Sequence, residues 1–219
     1  DPTELCEKIM NAAIEGDAKQ LLKVLRGAGI ESIQAAAASD ASGNGSGSSP
    51  LASMLPLHRA VSGFHFHGNQ RLLLKTLGVL IEHGADVAAV DHCGNSVLHK
   101  AIQVCTSAAI IPVVRFLLQN GVDVNAQNGP GCDLDTAVVT EIHRLRSKSA
   151  EVIEMLCSYG ANVNRRGRER DSPLSLILRC AQGREVVVAG NEHPFQHSSS
   201  QSGRNFWVPV AHLLVTRGE

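Results

Sequence analysis

Residues 91–127 read DHCGNSVLHKAIQVCTSAAIIPVVRFLLQNGVDVNAQ, and this stretch decides the fold. It opens on a turn signal, in which Asp91 is followed three residues later by Gly94. Apolar side chains then recur at the spacing of one helix face, at Leu98, Ala101, Ile102 and Cys105. The first half of the stretch therefore predicts a turn followed by a short helix.

The second half contains another apolar run, residues 113–118, directly after Pro112. Proline suits the first turn of a helix, because its missing N–H would have no partner there. The run ends at Asn120 and Gly121, a pair typical of a left-handed helix stop. The whole stretch predicts a helix, a tight turn, a second helix, a glycine stop and an extended finger.

Helices this short are marginal in water unless they pack against other helices. The chain supplies similar units on both sides of residues 91–127. The helix-ending glycines Gly84, Gly121 and Gly160 are separated by 37 and 39 residues, and Gly218 follows 58 residues later. The first two intervals are typical of a solenoid of stacked repeats.

Sequence fragments recur in register within these units. The opening half appears as Pro-Leu-His-Arg-Ala from residue 56, as Gly-Asn-Ser-Val-Leu-His-Lys-Ala from residue 94 and as Asp-Ser-Pro-Leu from residue 171. The closing half follows the three glycines as Gly-Ala-Asp, Gly-Val-Asp-Val-Asn-Ala and Gly-Ala-Asn-Val-Asn. On these motifs the chain resembles the ankyrin-repeat family.

The resemblance implies an all-α ankyrin-repeat solenoid of about five helix-turn-helix repeats with β-turn or hairpin fingers. We expect one domain over residues 1–219. Its repeats would lie at 3–29, 53–90, 91–126, 127–164 and 167–219, with long insertions at 30–52 and 183–205 and a long loop at 62–69. The chain starts without methionine and stops before a final finger, so we expect it to belong to a longer protein.

Composition and motif content exclude several classes of function. The formal net charge of −1 argues against a nucleic-acid-binding surface, which would be strongly basic. The six cysteines form no C-x-x-C pair, which favours a reducing compartment, the cytoplasm or the nucleus. No apolar run is long enough to span a membrane. No nucleophile–base, phosphate-loop or zinc-protease motif occurs, so we predict a non-enzymatic protein. We also expect it to be monomeric and to need no cofactor. His65 and His67 suggest a metal site, but no recognisable ligand pattern completes it.

Partners of the resembling family bind across finger tips and the first helix of each repeat. This resemblance places the partner-binding residues at Val90, His92, Cys93, Asn95, Gln103, Val104, Gln127, Asn128, Val139, Thr140, Arg165, Arg166, Arg168, Arg170 and Arg179. Of these, Val90, Val104 and Val139 are expected to be exposed apolar anchors.

Arginines concentrate at residues 165–170, in the finger between the fourth and fifth repeats. Guanidinium groups pair with carboxylates and phosphates in a bidentate geometry, so an acidic or phosphorylated peptide is the expected partner. A solvated loop is the simpler interpretation of the same residues. Two other functions stay open: a regulatory module inside a larger enzyme or channel, and nucleic-acid binding through this finger.

Overall fold

The computed structural model describes residues 2–28, 55–91, 93–106, 108–129, 136–144, 149–166, 172–181, 211–212 and 215–216. Within these ranges the chain forms nine α-helices, further helical residues at 211–212 and 215–216, and no β-strand. The predicted all-α class is thereby confirmed. The predicted insertions at 30–52 and 183–205 lie outside the described residues.

The helices follow one another in pairs. They are α1 (Pro2–Glu15), α2 (Ala18–Ala28), α3 (Pro56–His67), α4 (Gln70–Glu82), α5 (Val97–Val104), α6 (Ile110–Gln119), α7 (Ala137–Arg144), α8 (Ser149–Ser158) and α9 (Pro173–Ala181). None of the described helices is long and apolar enough to cross a membrane.

The pairs stack in two layers. The first helices of successive pairs pack on one another in the order α1, α3, α5, α7 and α9, and form the inner layer. The second helices α2, α4, α6 and α8 pack in the same order and form the outer layer. The predicted stripe is buried between neighbouring helices, at Leu98, Ala101 and Ile102 in α5 and at Cys105 directly after it. Each repeat thus buries its apolar face against the next one, as a solenoid requires.

Each outer helix is followed by the same backbone turn. The glycines that end α4, α6 and α8 have φ values of 89°, 83° and 87°, a left-handed conformation in which a Cβ atom would be strained. Two residues later a carboxylate or amide oxygen accepts a hydrogen bond from the backbone, at Asp86, Asp123 and Asn162. This repeated turn directs the chain from the outer layer towards the fingers.

The predicted loop at 62–69 is wrong, because α3 continues through most of it. Phe64 extends the buried stripe of α3 and is 2% exposed. Gly63 lies against the backbone of Ile14 in α1, which holds the two inner helices close together. The helix ends at Gly68, whose N–H donates to Phe64 O over 2.8 Å. The side chain of Asn69 then caps α4.

Candidate functional site

In the part of the chain that the structure describes, three fingers follow the outer helices α4, α6 and α8. The first finger is residues 84–96, the second is 121–136 and the third is 160–166, with residues 92 and 130–135 outside the described chain. Isolated antiparallel bridges close the first two fingers, between Val90 and Ser96 and between Gln127 and Thr136. The bridges hold the two arms of each finger side by side.

Asp91 organises the tip of the first finger. Its Oδ1 accepts hydrogen bonds from the backbone N–H of Cys93 and of Asn95, both at 2.9 Å. Its Oδ2 accepts a third from Asn95 Nδ2 at 3.1 Å. Gly94 closes the turn with a φ of 74° and an N–H donated to Asp91 O at 2.8 Å. The Asp91–Gly94 turn signal in the sequence therefore corresponds to a hydrogen-bonded tip.

The same contacts keep Asp91 ionised. Partial burial alone would raise the pKa of its carboxyl group. The backbone and side-chain hydrogen bonds from Asn95, the backbone hydrogen bond from Cys93 and the nearby His58 outweigh that effect, so the pKa of Asp91 is lowered. The first finger therefore carries a fixed negative charge at its tip.

His58 ties the inner helix α3 to this tip. Its Nε2 donates to Asn95 O at 2.8 Å. Its Nδ1 is buried and has no hydrogen-bond partner among the described residues. Burial lowers the pKa of His58, although the bond to Asn95 and the charge of Asp91 act in the opposite direction. The ring is therefore neutral, and its proton is on the nitrogen that faces the finger.

His99 has a comparable local role. Its Nδ1 lies 3.3 Å from the backbone nitrogen of Ser96, which donates to it, and 2.8 Å from Ser96 Oγ. Ser96 in turn caps the N-terminus of α5. His58 and His99 are therefore both hydrogen-bonding partners of backbone at the first finger.

The first and second fingers touch at their tips. The N–H of Gly129 donates to Cys93 O at 2.6 Å. Asn128 Nδ2 donates to Asn95 Oδ1 at 3.3 Å. A Cβ atom on Gly94 would overlap the backbone of Gly129, so the two tips approach as closely as main chains can.

The second and third fingers are joined nearer their bases, through Asn125. Its Nδ2 donates to Gly160 O at 2.9 Å, and its Oδ1 accepts from Asn162 N at 2.7 Å. Arg165 Nη1 donates to Asn125 O at 3.1 Å. Gln127 Nε2 reaches Arg166 O at 3.2 Å. The three fingers thus form one hydrogen-bonded row, defined here as the finger row.

The structure divides the predicted partner-binding residues by exposure. The exposed ones are Val90, Arg165 and Arg166, and the half-buried ones are Cys93, Gln103, Val104 and Gln127. The buried ones are Asn95, Asn128, Val139 and Thr140. His92, Arg168 and Arg170 lie outside the described residues, and Arg179 belongs to α9 with its side chain outside them.

The expectation of an exposed Val139 is wrong. Val139 is 4% exposed and belongs to the hydrophobic core, whereas Val90 is 50% exposed. Val104 is half-buried and packs against that core. The sequence pattern had placed Val139 on the open side of a helix whose described residues 137–142 are all buried.

Charge changes sign along the described part of the finger row, and this change was not predicted from the sequence. Two residues after the glycine, the first two fingers carry an exposed aspartate, Asp86 or Asp123. The third finger carries the neutral Asn162 at the same position. Arg165 and Arg166 appear on that third finger and are exposed. Aligning the three glycine turns in the sequence would have revealed this exchange.

A metal site receives no support within the described chain. No group of three or more histidine, cysteine, aspartate or glutamate side chains there could hold a metal ion. His65 is exposed on α3, and the side chain of His67 lies outside the described residues.

Comparison with known proteins identifies the repeats. A family model for ankyrin repeats in many copies matches residues 57–103, and a model for the single ankyrin repeat matches residues 93–129. Human (Homo sapiens) Rabankyrin-5 is 27% identical over 154 residues, which cover 63% of this chain and 12% of that protein. The putative ankyrin repeat protein FPV233 of fowlpox virus (strain NVSL) is 46% identical over 52 residues, 24% of this chain and 10% of that protein. The chain therefore spans a small part of the length of these relatives.

Proposed function

The chain belongs to the ankyrin-repeat family, and from this premise we propose that it is a non-enzymatic scaffold that binds a protein or peptide partner. Ankyrin repeats are generally protein–protein interaction modules. The proposed binding surface is the finger row together with the exposed side of the inner helices.

One observation carries the proposal. The polar groups inside the finger row, such as those of Asp91, Asn95 and Asn125, are engaged in hydrogen bonds between or within fingers. Val90, Arg165 and Arg166 stay exposed on that supported frame. A rigid frame lowers the entropy lost on binding, and exposed loops on rigid scaffolds are common binding sites.

Within this proposal the partner-binding set narrows to the exposed and half-buried members among the described residues, namely Val90, Cys93, Gln103, Val104, Gln127, Arg165 and Arg166. The buried Asn95, Asn128, Val139 and Thr140 support the surface from below. We also propose that the protein is monomeric and works in the cytoplasm or nucleus. The six cysteines form no C-x-x-C pair, which supports a reducing compartment.

A photo-crosslinking experiment tests the binding face. A photoreactive amino acid is placed at Val90 on the first finger and at Arg59 on inner helix α3, both exposed. Matched controls carry it at Lys75 on α4 and at Arg115 on α6, exposed positions of the outer layer. We expect crosslinked partner bands from cell extract at Val90 and Arg59 and none at the controls. Equal crosslinking at all four positions, or crosslinks at the outer positions alone, would contradict the proposal.

A second candidate is a regulatory ankyrin region within a larger enzyme or channel. The observation that favours it is that the matched segments make up 12% and 10% of the two relatives. Determining the full reading frame tests it, because a neighbouring catalytic or channel domain is expected. A reading frame that encodes ankyrin repeats alone would leave the scaffold as the function.

A further inference from the structure

Among the residues that the structure describes, negative and positive charges lie on different fingers of the finger row, which gives the row a direction. We propose that it binds an extended peptide segment that is acidic at one end and carries an apolar residue followed by basic residues at the other. The acidic end lies over the third finger, and the apolar residue lies over Val90 on the first. This inference rests on the proposed function and specifies the partner's chemistry.

The register of the fingers places the relevant side chains in line. Val90, Gln127 and Arg166 occupy the same position in consecutive fingers, six residues after Gly84, Gly121 and Gly160. The bond from Gln127 Nε2 to Arg166 O joins two of these positions directly. The contact between Cys93 and Gly129 joins the first finger to the second. A peptide lying across the fingers therefore meets an apolar, then a polar, then a basic position.

Charge complementarity gives the peptide its orientation. Asp86 and the ionised Asp91 on the first finger repel an acidic segment and attract a basic one. On the third finger Asn162 replaces the aspartate of the earlier fingers, and Arg165 and Arg166 add two exposed positive charges. Arg165 donates one N–H to Asn125 O, which holds its guanidinium group in place while the residue stays exposed. The net charge of −1 gives no overall attraction for acidic ligands. The local arrangement of charged side chains on the fingers therefore determines how the peptide is oriented.

The charged groups on the first finger and those on the third finger act independently of each other. Packed helices lie 8–10 Å apart, so two repeats separate the first and third fingers by about 16–20 Å. The screening length at physiological salt is about 8 Å, so the field of the arginines hardly reaches the aspartates of the first finger. An extended chain advances about 3.3 Å per residue, so about five or six residues separate the apolar anchor from the acidic end.

Defined peptides test this polarity on the complete chain. The probe is a fluorescein-labelled decapeptide. From one end to the other it contains two lysines, a leucine, a four-residue Ser/Gly spacer and three glutamates, and it is made in this order and in the reverse order. A third peptide has the same composition with alternating charges. We expect one of the two ordered peptides to bind about tenfold more tightly than the alternating peptide in fluorescence anisotropy. Equal affinity of all three, or no saturable binding up to about 1 mM, would overturn the inference.

Charge-reversal variants locate the site. Arg165→Glu/Arg166→Glu should raise the Kd of the ordered peptide by about tenfold. Arg71→Glu/Arg115→Glu changes the net charge equally at exposed positions of the outer helices and should change the Kd by less than about threefold. The inference is refuted if both variants weaken binding alike, or if a single-stranded oligonucleotide binds more tightly than the peptide. Crosslinking at Val90 and Arg59 without ordered-peptide binding would leave the scaffold function intact and refute the polarity alone.

Discussion

Asn95 shows how a buried polar side chain becomes part of the frame. Its carbonyl oxygen accepts from Asp91 N at 3.0 Å and from His58 Nε2 at 2.8 Å. Its Nδ2 donates to Asp91, and its Oδ1 accepts from Asn128. Because each of these groups has a partner, burying the amide costs little. Asn95 therefore supports the tip from inside, while Val90, which pairs with Ser96 in the bridge, keeps its side chain exposed.

His58 predicts a pH dependence at the scale of one residue. Its folded-state pKa is lowered, so the folded protein binds a proton at this ring less readily than the unfolded chain, whose pKa is about 6.5. Its contribution to stability is therefore fully present above pH of about 6.5 and is lost as the pH falls through the folded-state pKa. We expect the free energy of unfolding, measured by urea titration, to fall over this window.

His58→Gln is the matched variant, because glutamine does not titrate. At pH of about 7.5 it should cost about 1–2 kcal/mol through the altered bond to Asn95. The difference in stability between wild type and variant should shrink as the pH falls, since the wild type alone loses the His58 contribution. A constant difference from pH 7.5 to the acid range, on the order of two pH units lower, would show that His58 does not titrate as described.

At the scale of the element, α3 is longer than predicted and packs through a contact that a single sequence does not reveal. Leu57, Ala60, Val61 and Phe64 form a regular buried stripe. Residues 62–69 were nevertheless expected to form a long loop between the two helices. Gly63 is needed for close approach to Ile14, a non-local contact. A single sequence does not distinguish a glycine that permits close helix packing from a glycine that ends a helix.

Gly63→Ala tests that packing. Alanine is the better helix former by about 1 kcal/mol, so an isolated α3 would gain stability. In the folded chain the added Cβ overlaps the carbonyl group and Cα of Ile14, and overpacking of this kind costs about 1–3 kcal/mol. We expect a net loss in chemical denaturation. Gly27→Ala in α2 is the control, because nothing lies within 4 Å of its Cβ, and it should be neutral or stabilising. Two variants with equal stability would argue against the α1–α3 contact.

For the whole molecule, the sequence predicted what is local and repeated. The α5 stripe, the glycine stops and the proline in the first turn of α6 follow from spacing within one repeat. The links between fingers do not, because Asn125 and Asn162 are paired only once the stack has formed. Exposure at the surface also depends on neighbours: Val90 and Val139 are the same residue type, yet one is exposed and the other is core.

Asn125 connects these scales, because its side chain links the segment after α6 to the segment after α8. In a solenoid each repeat is stabilised by its own folding and by contacts with its nearest neighbours. Asn125→Ala removes the bonds to Gly160 O and Asn162 N and should cost about 1–2 kcal/mol at this interface.

The loss should be local along the stack. By hydrogen exchange, the amide of Asn162 and those of α8 should lose protection, while those of α1 keep theirs, since α1 lies at the far end of the inner layer. Asn11→Ala, at an exposed position of α1, is the control and should leave all of these amides unchanged. A uniform loss of protection from α1 to α8 in Asn125→Ala would mean that the chain opens as one cooperative unit. The finger row would then be stabilised by the folding of the whole stack rather than by the hydrogen bonds between neighbouring fingers.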